Sequence, residues 1–408
     1  MKNLKILVVS NGYIEDMMAC QIIKNLREID ASIEFKALPI VGEGRPYISE
    51  NIEVLGPCKN LPSEGLVHFS IKYLIKDIKS GLINSLIKQI EVIIKEGRKS
   101  DFIIVVGDIF LCALCGFFSG KKIIFAATAQ SVYIRKIDKL NLWLTKHFAK
   151  IVFPRDQATT DFFKKFNIPA IYFGSLAMDC VEITDENFNL PEKKKVIGML
   201  PGRRKDAYEK IECLIKIIDE TIIESEKKNY EIPIFIISIS HALSLDKLSR
   251  ITNKFGWKLE KGKKEDEQHG IIGYLIKNLN KVIVSDRFGD VIKKSNLVIS
   301  FSGVSNEQAI GLGKPVITFP VKNNLYPWEY FVRKQRKLLG NFVFTLPFDK
   351  KLIIEKIFSI LGDTSIEEKV KKIGIERVGQ KGAAKKTALY IKAQFLDPYM
   401  KGLYKNKI

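Results

Sequence analysis

Residues 296–317 read Asn296-Leu297-Val298-Ile299-Ser300-Phe301-Ser302-Gly303-Val304-Ser305-Asn306-Glu307-Gln308-Ala309-Ile310-Gly311-Leu312-Gly313-Lys314-Pro315-Val316-Ile317. The apolar run Leu297–Ser300 has the look of a strand buried on both faces. A Ser-Gly turn follows, then a helix with Glu307 on its first or second turn. Gly313-Lys314-Pro315 ends that helix and a new strand, Pro315–Phe319, begins. Strand, helix and strand in this order make one βαβ unit, which requires a parallel pair of strands. Backbone N–H groups at the Ser302–Ser305 turn can hold a phosphate. A carboxylate just inside the helix can accept two hydrogen bonds from ribose hydroxyls. Ser302, Gly303, Ser305, Glu307 and Gln308 are therefore candidate nucleotide-binding residues. For Glu307 the alternative is a partner for the helix dipole.

The same alternation extends in both directions. Upstream, strand-like runs fall at Lys5–Val9, Ile33–Leu38, Phe102–Val106, Lys122–Ala126, Ile151–Phe153 and Ala170–Phe173. Helical patterns lie between them at Glu15–Glu28, Leu66–Glu96, Leu140–Phe148 and Asp156–Phe166. The pattern breaks into a polar stretch near Val181–Lys195, then restarts with strands at Lys195–Met199, Ile234–Ile239, Lys281–Val284, Leu297–Ser300, Pro315–Phe319 and Phe342–Thr345. The expected fold class is α/β, with two doubly wound domains in series. The expected boundaries are 1–180, a linker at 181–194, 195–380, and a C-terminal helix at 381–408 packing back toward the first domain.

The chain has 408 residues, 46% hydrophobic, with a formal net charge of +20. That composition excludes disorder as the main state and fits two domains. The charge invites nucleic acid, anionic lipid or a phosphorylated small molecule, and a general taste for lysine explains it equally well. No nucleic-acid module is visible, so no nucleic acid is expected. Six scattered cysteines make no disulfide framework, and no secretory signal is visible; a cytoplasmic protein is expected. Cys112-x-x-Cys115 lies in an apolar run and the four histidines are isolated, so no metal is expected.

Three further loops follow strands. Asn11-Gly12-Tyr13-Ile14-Glu15-Asp16 follows the first strand, with a glycine suited to a tight turn and two acids that open or cap a helix. It is not a dinucleotide fingerprint. Gly202-Arg203-Arg204-Lys205 ends another strand, and its cations ahead of a helix suit a diphosphate. It is not a P-loop. Asp108 stands at the end of Phe102–Val106, where desolvation would suit a general base and a helix cap is the plain alternative.

Taken in order, these residues resemble the lipid-A-disaccharide synthase family, most nearly its synthase-related branch. Ser10-Asn11-Gly12…Glu15-Asp16 is similar to that branch's Ser-Asn-Gly-His-Gly-Glu-Asp. Phe173-Gly174-Ser175-Leu176-Ala177-Met178-Asp179, Leu200-Pro201-Gly202-Arg203-Arg204, Glu307–Pro315 and Glu376-Arg377-Val378-Gly379…Gly382-Ala383-Ala384 resemble later blocks. The resemblance implies a GT-B glycosyltransferase: two Rossmann-like domains facing a cleft, inverting transfer of an acylated glucosamine from a UDP-sugar donor to an acylated sugar phosphate acceptor, and no cofactor. It would place Gly202, Arg203, Arg204, Ser302, Gly303, Ser305, Glu307 and Gln308 on the nucleotide-sugar. Asn11, Gly12, Tyr13 and Glu15 would meet the acceptor, and Asp108 and Asp16 would do the chemistry. Tyr13-Ile14 stands where the branch has His-Gly, and Arg203 where it has Ser. Two alternatives remain open on the same fold: a sugar-nucleotide 2-epimerase, whose typical His-Arg loop is absent, and a nucleotide-sugar-binding relative without activity.

Within Leu66–Glu96, Ile71, Ile75, Ile78 and Leu82 recur at helical spacing beside Lys72, Lys76 and Lys79, with a break expected at Ser80-Gly81. Such a helix can bury its apolar face against the sheet. It can also lie on the anionic inner face of the plasma membrane as a peripheral contact.

Overall fold

The computed structural model describes residues 3–58, 71–191, 193–204, 206–321 and 327–405. Lys205 and residues 66–70 of the expected helix lie outside the described residues, as does the side chain of Lys72. The chain divides into two units, Met1–Cys180 with Gly379–Ile408, and Val181–Val378.

The first unit holds strands β1 (Lys5–Ser10), β2 (Glu34–Pro39), β3 (Glu53–Val54), β4 (Phe102–Val106), β5 (Ile123–Ala127) and β6 (Ala149–Pro154). They form one parallel sheet in the order β3-β2-β1-β4-β5-β6. Its helices are α1 (Tyr13–Ile29), α2 (Arg45–Ser49), α3 (Ile71–Lys79), α4 (Leu82–Lys99), α5 (Ile109–Ser119), α6 (Lys139–Phe148), α7 (Gln157–Lys165) and α8 (Leu176–Asp179). β4 and β5 are buried along their whole length, as unbroken apolar runs in a covered parallel sheet must be. α3 and α4 are separate helices. The break falls at Ser80-Gly81, where Gly81 has φ +92° and so takes the left-handed conformation open to glycine.

The second unit holds β7 (Val196–Leu200), β8 (Ile234–Ser238), β9 (Lys258–Lys261), β10 (Ile271–Lys277), β11 (Asn280–Ser285), β12 (Leu297–Ser300), β13 (Val316–Thr318) and β14 (Val343–Thr345). Their order is β14-β13-β12-β7-β8-β11-β10-β9. Pairing is parallel from β14 to β11, and β11, β10 and β9 form an antiparallel edge. The helices are α9 (Ala207–Lys228), α10 (Leu245–Asn253), α11 (Lys264–Gln268), α12 (Phe288–Lys294), α13 (Gly303–Gly311), α14 (Trp328–Leu339), α15 (Lys350–Gly362) and α16 (Ile366–Arg377).

Several expectations change here. Ala170–Phe173 is not a strand, because only Ala170 bridges to the sheet, opposite Val152. β9 and β10 carry no expected counterpart. The stretch 181–194, expected as a linker, enters the second unit at Val181. Thr184 donates its N–H and hydroxyl to the Asp290 carboxylate, and Glu186 donates its N–H to the same group. Asp290 is buried at the start of α12, and these donors satisfy it.

α17 (Ala383–Ile391), a π-helical turn at Lys392–Leu396 and α18 (Asp397–Lys405) return to the first unit. Asp179 accepts hydrogen bonds from Gly382 N and Ala384 N, so a carboxylate sits on the N-terminus of α17. Just before it, two glycines meet back to back. A Cβ on Gly379, which has φ +80°, would stand 2.8 Å from Tyr172 Oη and 2.9 Å from Gly174 Cα. The blocks 173–179 and 376–384 are therefore two halves of one anchor.

Gly379→Ala should destabilise the first unit by about 1–3 kcal/mol through strain and contact, and Asp179→Ala by a similar amount. Urea denaturation checks both. A midpoint unchanged in either variant would refute the anchor.

Candidate functional site

In the second unit the candidate residues converge at one sheet edge. β7 and β12 pair in register, with Leu200 beside Ser300. The loop 201–206 and the turn 301–303 therefore leave neighbouring strands at the same carboxyl edge, which is where doubly wound sheets place ligands. Gly202, Arg203 and Arg204 and the pair Ser302 and Gly303 thus leave the sheet from adjacent strand ends. Gly202 has φ +90° with open space around it, Arg203 is exposed and Arg204 half-buried.

α13 begins at Gly303. Ser302 stands at its N-cap position and makes no side-chain capping bond. The helix thus presents first-turn N–H groups and the positive end of its dipole without a serine hydroxyl over them. Ser302, Gly303 and Ser305 are half-buried, while Asn306, Glu307 and Gln308 are buried, Glu307 being 4% exposed. Beneath the first turn, Asn306 Nδ2 donates to Gln335 Oε1 of α14 at 3.0 Å. The Gln335 amide also lies against Gly303, where a Cβ would stand 3.0 Å from Nε2. Sequence reasoning missed Gln335, since nothing in the charged run Arg333–Lys337 marks it.

A row of hydroxyls ends the neighbouring strands. Ser300, Thr318 and Thr345 end three adjacent strands in register. Their oxygens, with Asn306 Oδ1, are buried and have no hydrogen-bond partner among the described residues. Buried polar atoms of this kind normally hold water or a ligand. Lys210 was also missed. It pairs with Asp206 at 2.7 Å and lies over the Phe301 ring at 5.9 Å, so it links the start of α9 to the turn after β12. Its signal was a lysine one turn into a helix after a phosphate-type loop.

In the first unit, Ser10 ends β1 and donates to Asp16 Oδ1 at 2.6 Å. Tyr47 Oη lies 2.6 Å from the same Ser10 oxygen. The serine proton goes to the carboxylate, so the tyrosine donates to the serine. Asp16 is 1% exposed and Tyr47 fully buried. Burial also drives the tyrosine hydroxyl well above its usual pKa, with the Asp16 charge adding to it. Asp16, expected as a catalytic group, ties α1 to the end of β1. Asp108 caps α5, accepting from Leu111 N at 3.0 Å, and remains half-buried. Ser10 pairs with Val106, and a Cβ on Gly107 would stand 3.1 Å from Asn11 Cβ, so the Asn11 and Asp108 loops are neighbours. Gly12 and Glu15 are half-buried and Tyr13 exposed at the same edge.

Cys112 and Cys115 are buried in α5. Burial pushes the Cys112 thiol up to about 12 and Cys115 well above its usual value, which suits packing and not nucleophilic work. Among the described residues no group of three His, Cys, Asp or Glu side chains is placed to hold a metal ion.

No protein-family model matches the sequence, and no curated protein matches it. Solved structures do match the fold. UDP-GlcNAc 2-epimerase from Neisseria meningitidis, solved with UDP-GlcNAc bound, aligns at TM-score 0.53 with 18% identity, covering 97% of this chain and 100% of that one. The Methanocaldococcus jannaschii UDP-GlcNAc 2-epimerase aligns at 0.53 with 15% identity, over 96% and 100%. MurG from Acinetobacter baumannii aligns at 0.57 with 11% identity, over 96% and 100%. At these identities the likeness establishes the fold, two Rossmann-like α/β units with parallel sheets as in GT-B enzymes. None of these three is a lipid-A-disaccharide synthase.

Ser10→Ala should cost about 1–3 kcal/mol, because it takes a partner from both Asp16 and Tyr47, and Tyr47→Phe about 1 kcal/mol. Asp108→Ala should cost about 1 kcal/mol as a lost cap. Chemical denaturation checks the order. Ser10→Ala as stable as Tyr47→Phe would overturn the chain of bonds.

Proposed function

We propose that the chain is a UDP-sugar enzyme that holds the nucleotide at the carboxyl edge of the second sheet and acts where the sugar joins the diphosphate. The observation that carries this is the register of β7 with β12, which sets a cationic loop beside a helix N-terminus with no side-chain cap. The diphosphate would take first-turn N–H groups of α13 and the charge of Arg204, with Arg203 at the rim. Vicinal ribose hydroxyls would donate to Glu307, the buried carboxylate of the second turn. Bond cleavage develops negative charge on the leaving diphosphate, and fixed cations and N–H dipoles stabilise that charge without reorganising.

Two reactions fit this arrangement. The structural likenesses favour 2-epimerisation of a UDP-sugar over the lipid-A-specific reaction. Inverting transfer of a glucosamine to a sugar phosphate acceptor is favoured by the loop 201–206, which holds two arginines and no histidine to serve as the epimerase's acid or base. In the transfer reading Asp108 takes the acceptor hydroxyl's proton through the oxygen that does not cap α5. Asn11, Gly12, Tyr13 and Glu15 would meet the acceptor.

UDP should raise the melting temperature of the protein more than UMP does, and Glu307→Ala should weaken UDP binding by about tenfold or more. No stabilisation by any nucleotide would refute the site. Incubation with UDP-GlcNAc alone, followed by proton NMR, separates the reactions. A 2-epimer without an acceptor indicates epimerisation. UDP release that requires an acylated sugar phosphate, and that falls in Asp108→Asn, indicates transfer.

A further inference from the structure

Three strands of the second unit end on hydroxyls at one level. Ser300 closes β12, Thr318 closes β13 and Thr345 closes β14. Ile299 pairs with Ile317, and Thr318 with Thr345, so the three side chains stand in one row on one face of the sheet. Gly198 and Val298 identify that face. They pair with each other, and Val298 lies two residues before Ser300. A Cβ on Gly198 would stand against Val291 of α12 and Ser295 just after it. The row therefore faces the side that α12 covers. α12, α13 and α14 join strands that advance in one direction along the sheet, so right-handed crossovers put all three helices on that side. Asn306 of α13 donates through Nδ2 to Gln335 of α14. Among the described residues, its Oδ1 is the buried side-chain oxygen of α13 that has no partner.

Spacing and charge decide what meets these oxygens. Ser300, Thr318 and Asn306 are fully buried and Thr345 is 8% exposed. Native interiors seldom leave such groups unmet. Neighbouring strands lie about 4.8 Å apart. Hydroxyls in register on them are too distant to bond each other, since an O–H···O bond spans at most about 3.0 Å. One water between two of them reaches both at about 2.8 Å. A cation is the competing occupant. None of the four oxygens belongs to a carboxylate, and Glu307, the next residue after Asn306, is turned by about 100° around α13. The Arg336 guanidinium donates to the Thr345 carbonyl at 3.3 Å, and α13 begins three residues past Ser300 with the positive end of its dipole. Both repel a cation. Water is neutral, donates to Asn306 Oδ1 and takes either role with a hydroxyl.

We propose that this face holds a fixed row of water molecules that bridges Ser300, Thr318 and Thr345 and reaches Asn306 Oδ1. The waters then help to set the position of α13 over the sheet, and Thr318, in the centre of the row, is a positioning residue. The row itself stands independently of any ligand. Its consequence for binding rests on the proposed function. The α13 N–H groups that would take the diphosphate are held because Asn306 is fixed by water on one side and by Gln335 on the other.

The test compares Thr318→Val with Thr318→Ser in the full chain. Valine keeps the shape of threonine without its hydroxyl, and serine keeps the hydroxyl without the methyl group. Crystals of the wild type should show water within hydrogen-bond distance of Thr318 Oγ1 and of a neighbouring oxygen of the row. Thr318→Ser should keep that water and Thr318→Val lose it. The urea midpoint of Thr318→Val should fall below the wild type's. Were the hydroxyls dry, removing one would relieve an unmet group and the midpoint would rise. A raised or unchanged midpoint overturns the proposal, and so does wild-type density without water at the row. So does a melting temperature higher in sodium or potassium chloride than in choline chloride of equal strength, because a cation would then fill the row. Thr318→Val should weaken UDP binding by about threefold or more, and Thr318→Ser should leave it unchanged. Equal weakening by both overturns the positioning role. A wild type that binds no nucleotide refutes the proposed function alone, and the crystals and midpoints still decide the row.

Discussion

Parallel pairing of β7 with β12 is the constraint on which the candidate site rests. β7 follows the entry segment 181–191, and β12 comes about a hundred residues later, after two helical crossovers and an antiparallel edge. Only their register, Leu200 beside Ser300, makes neighbours of an arginine loop and a serine–glycine turn. The strands have no choice in this, because each is buried along its whole length and has to be covered on both faces. Gly198 shows how tightly that cover fits: a Cβ there would stand 2.2 Å from Ser295 Oγ at the end of α12. Packing on the buried faces thus fixes the polar groups at the edge, without those groups having to hold themselves in place.

Much of this was legible because buried parallel strands are written as continuous apolar runs between turn residues. The stretch 297–300 gave its strand, its turn and its helix together, and Glu307 fell on the second turn as its spacing required. What stayed hidden has physical reasons. β9 is Lys-Leu-Glu-Lys at an exposed edge, so it has no buried face to write into the sequence. Ala170–Phe173 has the apolar content of a strand but lies beyond the sheet's last ladder, with one bridge to Val152. Residues 181–194 are polar like a linker, yet their N–H groups are the donors that a buried Asp290 requires, and a partner 106 residues away is invisible to local patterning. Asp16 and Asp108 illustrate the same limit for function. An acid at the start of a helix looks alike whether it caps, anchors or reacts; the structure adds the bonds of Asp16 to Ser10 and of Asp108 to Leu111 N, neither of which local patterning shows.

The resemblance in sequence and the likeness in fold also separate at identifiable residues. The blocks at 173–179 and 376–384 turn out to be two sides of one structural anchor, held by Asp179 and the Gly174–Gly379 contact. Such blocks mark how a C-terminal helix is fastened, a requirement that enzymes with different reactions can share. The blocks at 200–204 and 307–315 follow β7 and β12, which pair in register, and under the proposed function they would bear on nucleotide chemistry. Motif matches of the first kind speak for fold, and those of the second kind for ligand.

The net charge of +20 gains a distribution from the structure. Part of it is neutralised locally, as where Lys210 pairs with Asp206 and Lys314 with Glu367. Both of these lysines are buried, with side chains 10% and 11% exposed, so they belong to packing and not to the outward-facing surplus. Under the proposed function, Arg203 and Arg204 would meet the diphosphate. Residues 109–148 hold six cations against Asp138 alone, and the exposed Phe117, Leu140 and Trp143 lie on the same stretch. Charge and apolar exposure thus share one stretch of the first unit. Removing the cations alone would leave a surface suited to self-association, and removing the rings alone would leave an ordinary basic helix layer.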